Sequence, residues 1–343
     1  MKIEKNQTEA APPQAALMGM IMGFMLSQAI YVAAKLGVAD LLGEQPRSVH
    51  DLAGETKTDE RSLYRVMRAL ASAGIFSEVD DGYFALTPLA EGLRSDAPGS
   101  LRASAIFMGA DWHLRAWGDI MHSVRTGQTA FEHVYGKPFF PYIGEHKEEA
   151  SIFDNAMTSM SAHVAPAITA AYDFTGIRQL VDVAGGHGLL LASILKANPM
   201  MRGILFDVPQ VTEGALKVMS REEVSERCEI IAGDFFASVP QGADAYLMKH
   251  IIHDWEEPLA LKILGNCHRA MAPNGKLLLV EMVIPEGDAP SPGKLLDLEM
   301  LIFPGGQERT ESEYRALLAK AGFELTTVTQ TASPMSVIEA RRV

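Results

Sequence analysis

Apolar residues recur at helical spacing over residues 28–42 and again, more briefly, over 48–53. Asp59, whose carboxylate can accept the unpaired amides of a first helical turn, opens a third helical pattern through Leu70 that ends near Gly74. Residues 75–86 alternate as two short strands around Asp81-Gly82, a strong hairpin turn signal. The turn formers of Ser95-Asp-Ala-Pro-Gly-Ser100 mark a boundary, so domains are expected over residues 1–100 and 101–343. Beyond it, residues 101–172 read as helical but interrupted, with a turn-rich aromatic stretch at 131–142. From Gln179 short apolar strands at 180–184, 203–206, 228–232, 243–248 and 276–284 alternate with helical segments. That pattern predicts an α/β fold, a mostly parallel sheet with helices on both faces. After a helix at 311–321, strand-like segments at 323–329 and 336–340 follow one another directly and predict an antiparallel terminal hairpin.

Ahead of these elements lies an unbroken apolar run, residues 15–26, rich in methionine and carrying Gly19 and Gly23. Glu4 and Glu9 before it, the lack of a cleavage pattern, and amphipathic continuation through Ser27, Gln28 and Lys35 argue against a signal peptide. The run is shorter than the roughly 20 residues that span a bilayer, so no membrane association is expected. It predicts a buried helix whose excess apolar surface is covered by another subunit, and the Gly-x-x-x-Gly spacing would let two helices approach closely. The formal net charge of −13 repels phosphate polymers. Three helices and a hairpin make a winged helix, and Arg61, Arg65 and Arg68 lie on its third helix, but Asp59, Glu60, Glu78, Asp80 and Asp81 largely cancel them. A packing role is therefore expected there, not nucleic-acid binding. Two cysteines, Cys228 and Cys267, are too few for a disulfide framework or a four-ligand zinc site and suit a reducing, cytoplasmic setting.

Candidate chemistry gathers where the predicted strands end. Val181-Asp-Val-Ala-Gly-Gly-His-Gly188 closes a buried strand and opens a helix, where glycines allow a tight turn and close approach of a ligand. Asp207 ends the next strand roughly 20 residues on, where a carboxylate can accept both ribose hydroxyls of an adenosine moiety. A dinucleotide fingerprint would need a third glycine where Leu191 stands, which disfavours a nicotinamide oxidoreductase. In Gly233-Asp-Phe-Phe236 an acid can bond an adenine amino group and an aromatic can cover its ring. Met248-Lys-His-Ile-Ile-His-Asp-Trp255 puts Lys249, His253, Asp254 and Trp255 at the sheet's carboxyl edge, where His253 beside a carboxylate suits a general base. Phe107, Trp117, Phe153, Met157, Met160, His163, Met300 and Phe303 are candidates for a flat apolar pocket, although singly each reads as core. Glu281 and Glu308 read alone as surface acids or as partners of Lys276 or Arg309.

Taken in order, five motifs resemble the S-adenosylmethionine-dependent O-methyltransferases that modify phenolic small molecules in plants and bacterial natural-product pathways. They are Leu180-Val-Asp-Val-Ala-Gly-Gly-His-Gly188, Leu205-Phe-Asp-Val-Pro209, Gly233-Asp-Phe-Phe236, Lys249-x-x-x-His253-Asp-Trp255 and Gly305-Gly-Gln-Glu-Arg-Thr310, and the resemblance spans nearly the whole chain. It implies a Rossmann-like class I methyltransferase sheet behind a winged-helix dimerisation domain, a homodimer, S-adenosylmethionine as methyl donor and an aromatic small-molecule acceptor. Carried over by position, His253 is the base that removes a phenol proton, and Glu281 and Glu308 orient it. Asp207 would bind ribose, Asp234 and Phe235 adenine; Lys249 would close the adenine side and Trp255 pack on it, with Ala184, Gly185 and Gly186 forming the turn against the cofactor. The chain departs from the family at Ala184, where glycine is frequent, and at His187, where threonine is; His187 reaching the cofactor's carboxylate and His187 facing solvent both stay open. No metal is implied. A nitrogen acceptor, which needs no base, is the alternative within the family; a ligand-sensing winged-helix regulator is disfavoured by the acidic charge.

Overall fold

The computed structural model describes residues 12–343, which divide into two compact units at Ala110. The first unit holds α1 (Pro13–Leu36), α2 (Val38–Leu42), β1 (Arg47–Ser48), α3 (Val49–Thr56), α4 (Glu60–Ser72), β2 (Phe76–Asp80), β3 (Tyr83–Leu86), α5 (Pro88–Glu91) and α6 (Arg102–Gly109). The helical pattern expected over 28–42 is cut at Gly37, whose left-handed φ of 69° caps α1. Asp59 caps α4 as its sequence suggests, accepting from the Ser62 amide at 2.9 Å. Leu63, Met67 and Leu70, one stripe of α4, are buried with Leu52, Phe76 and Phe84. β2 and β3 form the expected hairpin, and β1 adds a third strand.

The first unit runs past the predicted boundary at residue 100, because α6 lies along α1: a side chain on Gly109 would overlap the Tyr31 ring. The apolar run 15–26 is helical and stays open within the single chain, Met20 78% and Phe24 63% exposed, which leaves this face for the second subunit expected to cover it. Helix α1 is 24 residues long, and by length and composition alone it could cross a membrane.

The second unit opens with α7 (Asp111–Gly118), α8 (Ile120–Thr126), α9 (Ala130–Tyr135), α10 (Phe139–Glu145) and the long α11 (Lys147–Ala171). Then come β4 (Gln179–Val183), α12 (Leu189–Ala197), β5 (Arg202–Asp207), α13 (Pro209–Arg221), β6 (Cys228–Ala232), β7 (Ala245–Lys249), α14 (Glu257–Ala270) and β8 (Lys276–Glu281). The chain closes with α15 (Gly293–Ile302), α16 (Glu311–Lys320), β9 (Phe323–Gln330) and β10 (Ser336–Arg342). Among the described residues these strands make one seven-stranded sheet in the order β6-β5-β4-β7-β8-β10-β9, with β10 antiparallel to both neighbours and the remaining pairs parallel. Its strands read as continuous apolar runs because both faces are covered, one by a core with Val181, Tyr246, Ile263 and Leu317, the other by Ile168, Leu190, Leu205 and Leu247. Strand order reverses between β4 and β7, which opens a crevice at their carboxyl ends.

Candidate active site

β4 runs into a turn that starts at Ala184, whose φ of 55° is left-handed. A glycine would hold that conformation without the clash a methyl brings, which explains the residue expected there. A side chain on Gly185 would strike Asp182 and Leu205, whereas one on Gly186 would meet nothing within 4 Å, so the turn leaves open space above Gly186. Asp207, at the tip of β5, accepts from the amides of Gly186 at 2.8 Å and Val208 at 2.7 Å. Burial raises its pKa while those two amides hold it back. Beneath the turn, Asp182 keeps one oxygen without a partner; burial pushes its carboxyl up to about 7, opposed by Lys249. Burial in turn lowers Lys249 against the pull of Asp182 and Glu281. His187 is half-buried. Its Nδ1 lies 2.9 Å from the Thr158 hydroxyl of α11, and a side chain on Gly214 of α13 would meet its Nε2.

At the tip of β6, Asp234 is exposed and caps its own turn by accepting from the Phe236 amide at 2.8 Å. Phe235 and Phe236 meet each other edge-on at 4.7 Å, and Trp255 meets Phe236 at 4.8 Å and stacks on Phe140 at 5.1 Å. Phe140 continues to Phe139 and Phe153, and Phe139 to Phe303, so an aromatic wall runs from the β6 tip to α15. Phe303 is 3% exposed and stacks on His113, which puts it inside that wall. Trp117 donates from its indole to Glu299 at 2.7 Å, and Glu299 also holds His113 at 2.6 Å. Phe153, Met157 and Met160 are half-buried on one face of α11, Met300 is buried, and His163 is exposed. Phe107 is buried on α6 of the first unit.

Past β7, His250 takes a left-handed φ of 54° and turns the chain into the short 3₁₀ segment Ile252–Asp254. This buries His253 against three acids that sequence alone leaves scattered. Its Nδ1 is 2.5 Å from Glu308 and 3.7 Å from Glu281, and its Nε2 is 3.4 Å from Asp254. Burial raises the carboxyls of Glu308, Glu281 and Asp254, the last two to about 7. Neither Glu308 nor Glu281 is a surface acid: both side chains are 0% exposed. Lys276 pairs with Glu339 instead, at 2.9 Å. Arg309 donates to the carbonyls of Ile252, Gln307 and Trp255, tying the Glu308 loop to the His253 turn. Gly306 allows that approach, since any side chain there would collide with the backbone of residues 253–255. Asp297 of α15 accepts from the Glu308 amide at 2.7 Å. Sequence reasoning missed Asp297 and the clamp made by Arg309; each acts through backbone groups, which leave no residue pattern. Among the described residues two sets of side chains could ligate a metal, His250 with His253 and Glu308, and Asp119 with His122 and His133, each with donor atoms within 4.8 Å of one another.

Comparison with known proteins bears on this arrangement. Residues 117–324 match the O-methyltransferase domain family, and residues 18–96 the O-methyltransferase dimerisation domain. The chain belongs to the O-methyltransferase family. This O-methyltransferase is 44% identical to a phenazine O-methyltransferase of Lysobacter antibioticus, with 99% of each chain covered. It is 34% identical to a phenazine-1-carboxylate N-methyltransferase of Pseudomonas aeruginosa, over 95% of this chain and 96% of that one. The crystal structure of human N-acetylserotonin methyltransferase in complex with S-adenosylmethionine matches with a TM-score of 0.90 at 26% identity, covering 100% of this chain and 99% of that one. The enzyme is thus an S-adenosylmethionine-dependent O-methyltransferase with a class I sheet and a dimerisation domain. The open space over Gly186, the acid at the β5 tip and the aromatic edges at the β6 tip fit an adenosyl group.

Proposed function

We propose that the enzyme methylates a hydroxyl of an aromatic small molecule, with His253 as general base. S-adenosylmethionine supplies, when bound, a methyl group made electrophilic by its sulfonium. The turn of Ala184, Gly185 and Gly186 would hold it with Asp207 on the ribose and Asp234, Phe235, Lys249 and Trp255 around the adenine. Phe153, Met157, Met160 and Met300 would seat the acceptor, with Trp117 and Phe303 behind them and His163 completing the proposed set within the second unit.

The observation that carries this reading is the buried contact of 2.5 Å between His253 Nδ1 and Glu308. Once Glu308 is ionised, above the pKa of about 8 to which burial lifts it, donation from Nδ1–H to its carboxylate fixes the tautomer and leaves the Nε2 lone pair to take the acceptor's proton. The imidazolium that results meets three carboxyls, those of Glu308, Glu281 and Asp254, within 3.7 Å. A positioned base contributes roughly 10²- to 10⁴-fold. His253→Ala should therefore lose about that much turnover while S-adenosylhomocysteine affinity, read by calorimetry, stays within two- to three-fold. Full turnover in that variant overturns the base role and favours a nitrogen acceptor, the chemistry named for the Pseudomonas relative.

The exposed apolar α1, within the matched dimerisation domain, supports a homodimer built on the first unit. We place the enzyme in the cytoplasm, where its two free thiols, Cys228 and Cys267, remain reduced.

A further inference from the structure

We propose that Asp154 receives the ammonium group of the methyl donor's amino-acid tail. The assignment rests on the reading of the glycine turn as the donor's seat. Asp154 and Thr158 stand one turn apart on the same face of α11. Thr158 is the residue that reaches His187, so this face of the helix is pinned against the turn that begins at Ala184. Asp154 lies near enough to Asp207 for its charge to raise the Asp207 carboxyl.

Among the described residues no side chain or amide bonds the Asp154 carboxyl; only its backbone carbonyl is used, by the Thr158 hydroxyl. Burial alone pushes its pKa up to about 6, so near neutrality it is mostly an ionised, half-buried acid without a counter-charge. His187 cannot serve as that counter-charge, because burial lowers its pKa and its Nδ1 is engaged with Thr158. Lys249, the cation coupled to Asp182, stands at the end of β7. Asp154 and Asp207 thus stand close to each other beside the turn, while Lys249 is engaged by Asp182 beneath it. A donor whose sulfonium and ammonium outweigh its one carboxylate brings net positive charge to these acids. Asp207 is committed to two backbone amides at the β5 tip, which leaves Asp154 as the acid free to meet the ammonium.

Calorimetry on the full-length enzyme separates this role from a structural one. The ligands are S-adenosylhomocysteine, its deamino analogue with the carboxylate intact, and 5′-methylthioadenosine, which lacks the tail. Asp154→Asn should bind S-adenosylhomocysteine about 10- to 100-fold more weakly, the range of a lost charged hydrogen bond. It should bind 5′-methylthioadenosine as the wild type does, and that arm also reports that the variant is folded. The wild type should bind the deamino analogue weakly, with no further loss in the variant. Unchanged S-adenosylhomocysteine affinity in the variant, or equal losses for all three ligands, overturns the assignment while leaving the donor's seat intact. A wild-type enzyme that binds none of the three overturns both.

Discussion

Replacing Glu281 by glutamine removes one buried titration and keeps the shape of the side chain. Glu281 Oε1 accepts from the amides of Ile251 and Ile252 at 3.3 and 3.1 Å, and the glutamine carbonyl can accept the same bonds. Its other oxygen has no hydrogen-bond partner and faces His253 at 3.7 Å and His250 at 3.8 Å. Burial lifts the carboxyl from an ordinary 4.5 to about 7. Below pH 4.5 folded and unfolded chains both hold the proton, and the group contributes nothing to pH dependence. Between about 4.5 and 7 the unfolded chain releases its proton while the native chain retains it, so stability falls as pH rises. Above about 7 the native carboxyl is ionised too, and the penalty levels off at about 3 kcal/mol, since stability changes by about 1.4 kcal/mol for each pH unit between the two pKa values. Urea denaturation at one fixed protomer concentration, from pH 4.5 to 8, should therefore show Glu281→Gln gaining about 3 kcal/mol on the wild type across that range. Asp254, whose carboxyl the Glu281 charge also raises, shifts down in the variant and adds to the same gain. Parallel stability curves, whatever their offset, would refute the reasoning. The same variant should turn over more slowly, since it lacks a charge facing the imidazolium.

Ala184→Gly should stabilise the protein by about 1 kcal/mol in the same assay, the cost of a left-handed alanine less the extra chain entropy of glycine. Gly306→Ala should cut kcat with little change in S-adenosylhomocysteine affinity, because the added methyl forces the Glu308 loop away from the His253 turn; unaltered kinetics would contradict the close approach. Phe24→Asp on the exposed face of α1 should yield a monomeric mass in light scattering at micromolar concentration.

The sheet was legible because buried parallel strands appear as apolar blocks between turn residues, and β4 to β8 begin and end within a few residues of those blocks. The N-terminal boundary was harder to place. The turn formers at 95–100 are real punctuation, but α6 folds back on α1, an outcome decided by the fit of Gly109 to Tyr31. The apolar run 15–26 announced a helix with more apolar surface than one chain covers, and its exposure within the single chain agrees with that reading. At the candidate site, motif order brought His253, Glu281 and Glu308 to attention, while their convergence depends on the lengths of β7 and β8 and on a loop 55 residues further along. Asp154 gave no signal because it sits in an ordinary helical pattern, and its isolation shows only once its neighbours are placed.

Arg309 grips carbonyls on two distant stretches of backbone at once, so the imidazole and the carboxylate beside it travel as one rigid piece. The helices that carry the aromatic wall, α10 and α11, lie outside that grip. Substitutions there can reshape the proposed acceptor pocket without disturbing the His253–Glu308 contact, which gives such a scaffold a short route from one acceptor to the next.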